Sequence, residues 1–149
     1  MRLFSNNVSP VAQWLGLSGL IPFVALAALS FFVSSDHRGF VIMTLLAYGV
    51  TIVSFLGAIH WGLTMVENFP KKYQLVWGVV PSLLGWISLS LQTELGLLIV
   101  GAVLLLCLAI DYKIYPQYGL ERWLRMRSIL TFVATASCIL PALSGLIVA

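Results

Sequence analysis

His60 is the one histidine inside a long apolar run of this 149-residue chain, and Thr64 and Glu67 follow it at i+4 and i+7. On a helix that spacing puts all three side chains on one stripe. An imidazole, a hydroxyl and a carboxylate in a row can pass a proton or hold a polar ligand head. An ionisable residue in such a run is a functional candidate by default. The bland alternative is a hydrogen bond within a bundle, helped by a position about two turns from the helix end. Asp111 stands near the end of another apolar run, and Arg122, Arg125 and Arg127 follow it. A carboxylate at a helix C-terminus opposes the macrodipole and calls for a cation. The arginines either dock their own segment through an Asp–Arg pair or form a basic pocket for a lipid head group or other anion. His60, Trp61, Glu67, Asp111, Arg122, Arg125 and Arg127 are therefore the candidate ligand-binding set.

The run around His60 has a further peculiarity. At 100° per residue, Ala47, Thr51, Ser54, Gly57 and Ala58 share one side of a helix, with Trp61 beside them. Small residues let membrane helices approach closely, so Ala47, Ser54, Gly57 and Ala58 are expected to pack against a neighbour. A ligand crevice capped by Trp61 is the sharper alternative. Other chemistries are excluded by counting. A haem held by two histidines needs a second one at similar depth, and His37 belongs to the opposite end. A structural zinc needs three or four clustered ligands, which the spacing does not supply. The motifs of acyl transfer and phosphate binding do not occur. No metal, no cofactor and no catalytic set is expected. Cys107 and Cys138 read as small buried apolar residues.

These residues must be positioned by membrane helices. Only 9% of the side chains are charged, 60% are hydrophobic, and the mean hydropathy is +1.03. A soluble domain of this size could not hide so much apolar surface. Disorder, a disulfide scaffold and nucleic-acid binding fall with it. Crossing the hydrocarbon takes about 20 apolar residues, and five stretches qualify, at about 11–33, 40–65, 74–91, 95–114 and 128–148. They predict an all-α bundle of five transmembrane helices in a single domain, the first retained rather than cleaved. A short interfacial helix is expected at about 117–127, before the fifth span. With five crossings, seven of the eight basic residues share one side and only Arg38 lies opposite. The positive-inside rule then puts the N-terminus in the cytoplasm and the C-terminus outside. Trp14, Trp77, Trp123, Tyr73, Tyr112, Tyr115 and Tyr118 lie near the cytoplasmic span ends, as an aromatic belt does.

Several of these stretches together resemble domain-of-unknown-function family 3429, small integral membrane proteins whose eukaryotic relatives include the mitochondrial transmembrane protein 69. The resemblance rests on Gly19-Leu20-Ile21-Pro22-Phe23, on Tyr48 with Ser54-Phe55-Leu56-Gly57-Ala58-Ile59-His60-Trp61-Gly62, and on Pro81-Ser82-Leu83-Leu84-Gly85-Trp86. Asp111 and Trp123-Leu124-Arg125-Met126-Arg127 ahead of Ser128–Thr131 complete it. It implies a five-helix protein of the bacterial inner membrane with no established activity. Three functions fit. One is a non-catalytic accessory or assembly factor of a larger membrane complex. Another is a binder or carrier of an anionic lipid or quinone, with a polar pocket at the cytoplasmic interface. The third is a small transporter working as a homo-oligomer. The expected partners are the lipid bilayer, such an amphiphile, and other membrane subunits or copies of the chain, with no nucleic acid.

Overall fold

The computed structural model describes residues 8–66 and 71–148. Its helices are α1 (Pro10–Ser18), α2 (Ile21–Phe32), α3 (Ser35–Met65), α4 (Lys72–Ser88), α5 (Thr93–Ile114) and α6 (Leu124–Val148). There is no strand among the described residues. Among the described residues four stretches are long and apolar enough to cross a membrane: Pro10–Phe32, Ser35–Thr64, Thr93–Tyr118 and Glu121–Ile147. At 17 residues, α4 sits at the lower limit for a spanning helix.

The first apolar stretch is broken, and its own sequence explains why. Pro22 has no N–H for the carbonyl of Ser18, and its ring crowds that carbonyl. The chain therefore stops at Ser18 and restarts at Ile21, with Pro22 in the first turn of α2. The break leaves the Gly19 carbonyl without its helical donor. Tyr48 on α3 fills the place, its hydroxyl donating to that carbonyl at 2.8 Å. The Tyr48 ring also meets Phe23 edge-on, with centroids 5.0 Å apart. Prolines inside α4 and α6 do not break those helices. The segment expected as one interfacial helix at 117–127 is instead divided between two 3₁₀ turns, Tyr115–Tyr118 and Glu121–Trp123, and the first turn of α6 from Leu124 on. Gly119 separates them at φ +64°, a left-handed backbone that only glycine takes without strain.

Side by side, α2, α3, α4, α5 and α6 close a ring, with α6 returning to α2, and α3 touches α5 across the middle. Leu45, Leu46, Val53, Leu97, Val100, Leu104 and Cys138 fill that middle. Glycine sets how near α3 and α4 come. A Cβ on Gly57 would lie 2.5 Å from the Gly78 carbonyl oxygen, and one on Gly78 would run into the Trp61 ring. At one end, Arg38 on α3 donates to the Pro141 carbonyl (2.8 Å) and the Ser144 hydroxyl (3.0 Å) on α6. Its other terminal nitrogen is 3.8 Å from Glu94 on α5. The opposite end gathers the C-termini of α3 and α5 and the N-termini of α4 and α6. That end carries the candidate site.

Candidate functional site

His60 lies 51 residues before Asp111 in the chain, yet the α3–α5 contact brings their side chains together. The imidazole Nε2 is 3.1 Å from Asp111 Oδ1. A carboxylate only accepts, so Nε2 carries a hydrogen toward Asp111. The other ring nitrogen, Nδ1, is buried and has no hydrogen-bond partner. The other carboxylate oxygen receives Arg127 from the first turn of α6. Nε donates at 2.8 Å, and Nη2 lies 2.7 Å from the same oxygen. The side chains of His60 and Asp111 are 1% and 3% exposed, and that of Arg127 is 12% exposed. A buried carboxylate thus has an imidazole donor on one oxygen and a guanidinium on the other, each from a different helix. The triad joins α3, α5 and α6 at one point. The Tyr115 ring, one turn beyond Asp111, is 6.5 Å from the imidazole and also buried.

Of the residues picked out by sequence, His60, Asp111 and Arg127 come together. Arg122 and Arg125 point to the exposed surface. Trp61 turns toward α4, donating its indole N–H to the Leu75 carbonyl at 2.8 Å. Thr64 is buried, and its hydroxyl returns to the Trp61 carbonyl. Glu67 lies outside the described residues. Among the small residues, Gly57 is buried against Gly78, and Ser54 is half-buried with its hydroxyl on the Val50 carbonyl. Ala47 and Ala58 face outward.

Sequence reasoning passed over three polar residues that the structure places at this end. Gln74 is fully buried on α4 and accepts the Tyr118 hydroxyl at 2.8 Å. That contact fastens the start of α4 to the 3₁₀ turn after α5. An amide in an apolar run was the available signal, because it needs a partner wherever it is buried. Thr131 and Thr135 are the others, one and two turns after Arg127 on α6. Both hydroxyls are buried without a partner. A helical threonine usually returns its hydroxyl to a preceding carbonyl, so these two are spare donors on the Arg127 side of α6.

Thr131 and Arg127 also line a cavity of about 180 Å³. Its walls are otherwise mainly apolar: Gly16, Gly19 and Phe23 from the broken leg, Leu56 from α3, and Leu104 from α5. Leu15 and Phe55, both exposed, stand at its mouth. The crevice is therefore apolar along its length, open at the side of the bundle, and polar at the Arg127 end. The helix break at Gly19 forms part of one wall, so the same proline that splits the first leg shapes the crevice.

A lipid-facing bundle with a buried ionic triad and a side-opening apolar crevice defines the class: a multi-pass α-helical membrane protein. Residues 8–143 match the family described as "Protein of unknown function (DUF3429)". The chain belongs to that family. It is 38% identical over 135 residues to transmembrane protein 69 of Xenopus tropicalis, covering 86% of this chain and 52% of the relative. It is 28% identical over 130 residues to transmembrane protein 69 of Mus musculus, covering 85% and 53%. The chain thus spans about half the length of the curated relatives it matches. No solved structure matches it.

Proposed function

We propose that this protein binds a membrane amphiphile in the crevice beside Arg127, without catalysing a reaction. The observation that carries the reading is the pairing of an apolar, side-opening cavity with an unused donor beside a cation at one end. These are the partnerless Thr131 hydroxyl and the Arg127 guanidinium that Asp111 holds beside it. A donor left bare in an apolar wall is destabilising, and a ligand with acceptors on its head and a hydrocarbon tail relieves it. Asp111 and His60 are then the supports that hold Arg127 in place. An anionic lipid head and a quinone carbonyl both meet this description. In this reading the chain crosses the bacterial inner membrane five times, α4 included, with the N-terminus in the cytoplasm. The basic residues Lys71, Lys72, Lys113, Arg122, Arg125 and Arg127 mark the cytoplasmic end.

Thr131→Val tests the proposal, because it replaces the hydroxyl by a methyl of similar shape. Ligand-free protein should gain about 1 kcal/mol, since a buried donor without a partner is removed. Lipid extracts of the protein purified in nanodiscs from its own membrane should show less co-purifying amphiphile than wild type. Equal extracts from wild type and variant refute the crevice as a binding site.

One observation favours a second reading, an accessory or assembly factor for a larger membrane complex. Both oxygens of Asp111 are engaged by neighbouring helices, so the carboxylate ties the bundle together. The same nanodisc preparation decides between the two. A stoichiometric protein partner with no enriched amphiphile selects the accessory role.

A further inference from the structure

A second cleft at the same end of the bundle lies between α4 and α5. It encloses about 440 Å³ and is lined by Tyr73, Trp77, Ile110, Lys113, Ile114 and Gln117. Its upper rim is basic. Gln117 returns its amide N–H to the Lys113 carbonyl at 2.8 Å, which fixes the orientation of the amide. The amide oxygen then receives the Lys71 ammonium from the start of α4 at 2.6 Å. Gln117 therefore draws Lys71 across to the rim that Lys113 occupies. Neither lysine has a carboxylate within ion-pair distance among the described residues. Lys113 itself lines the cleft, so two lysines border it, and an anion there would be attracted by both charges. The Trp77 indole N–H is buried with no acceptor. Ile110 and Ile114 of α5 add hydrocarbon to the wall.

The cleft thus combines two lysines, a buried N–H donor without an acceptor and an apolar wall. From this combination we infer that the α4–α5 cleft is a binding site for an anionic phospholipid. The phosphodiester sits against Lys71, Lys113 and the Trp77 N–H, and an acyl chain runs down past Ile110 and Ile114. A free phosphate would use the lysines and leave the apolar wall bare. A zwitterionic lipid brings its own cation to a site that already has two. This site is separate from the crevice beside Arg127, and it stands whether or not that crevice is occupied.

Native mass spectrometry of the full chain, with added phosphatidylglycerol or phosphatidylcholine of matched acyl chains, tests the inference. Wild-type protein should retain phosphatidylglycerol in preference to phosphatidylcholine. A lysine near an anionic lipid surface contributes about fivefold in binding, so Lys71→Ala with Lys113→Ala should weaken phosphatidylglycerol retention on the order of 25-fold. The corresponding double arginine variant should retain it. Trp77→Phe keeps the ring and removes the N–H, and should weaken retention severalfold. Lys72→Ala removes a neighbouring exposed charge that does not line the cleft, and should leave retention within twofold. Equal retention of the two lipids, or an equal loss in Lys72→Ala, overturns the inference in favour of diffuse surface charge. Displacement of the lipid by millimolar inorganic phosphate overturns it in favour of a free-anion site.

Discussion

Asp111→Ala is the sharpest perturbation of this bundle. It removes the acceptor of two side chains at once and leaves the Arg127 guanidinium, 12% exposed, without a counter-charge. It also leaves the His60 Nε2–H, on a side chain 1% exposed, without an acceptor. Two magnitudes compete. Interhelical hydrogen bonds in membrane proteins average only about 0.6 kcal/mol, whereas breaking a buried ion pair costs about 3–5 kcal/mol. The second governs here, because a stranded charge remains and an arginine inside a span costs about 2.5–3.5 kcal/mol at mid-membrane. Arg127 lies in the first turn of α6, so it can extend its head toward the interface and recover part of that. The expected loss is about 3 kcal/mol, read by detergent-titrated unfolding followed by tryptophan fluorescence. Asp111→Leu combined with Arg127→Met removes both charges and should return stability to within about 1 kcal/mol of wild type. A single variant that loses less than about 1 kcal/mol would falsify the account of the triad as an ionic clamp. A double variant as unstable as the sum of its parts would show that the two residues act apart.

Gly57→Ala should destabilise by about 1–3 kcal/mol, because its Cβ meets the backbone oxygen of Gly78 at 2.5 Å and backbone cannot step aside. Gly62→Ala on the same helix has open space around it and should be neutral or stabilising by up to about 1 kcal/mol. Thermal unfolding of the two in parallel checks the pair, and a reversed order contradicts the close α3–α4 approach. Tyr48→Phe should cost about 1 kcal/mol by the same unfolding assay, since the hydroxyl bond to Gly19 is lost while the ring contact with Phe23 stays. Gly119→Ala should cost about 1–2 kcal/mol from its left-handed backbone alone. An unchanged midpoint for that variant would mean that the turn accommodates a side chain there.

Where the sequence was legible, the physics acts along the chain. Apolar runs long enough to span a bilayer mark membrane helices whatever packs beside them. The break ahead of Pro22 was not legible in the sequence, which reads about 11–33 as one span; Pro81 and Pro141 sit inside continuous helices, so a proline alone does not choose between a break and a continued helix. The segment before α6 was misread as one helix because its apolar and basic spacing suits an amphipathic face. The left-handed backbone at Gly119 divides it, and glycine tolerates both conformations, so its presence alone does not choose between them. Gln74 was passed over for a similar reason. An amide interrupts an apolar run very little, and only the Tyr118 hydroxyl arriving from 44 residues away gives it a role.

The arginines show the same division most clearly. By itself the sequence determined that a carboxylate near the end of α5 needs a cation and that three arginines follow within reach. Helical geometry alone places Arg122, Arg125 and Arg127 at different angles without saying which angle faces inward. That was decided by the packing of α6 between α2 and α5, which turns Arg127 inward onto Asp111 and leaves Arg122 and Arg125 at the surface. His60 joined the pair for the same reason, through the crossing of α3 and α5. Composition and local stereochemistry are carried by each residue. Which buried charges meet depends on the rotation and crossing of helices far apart in the chain, and those are set only when the whole bundle closes.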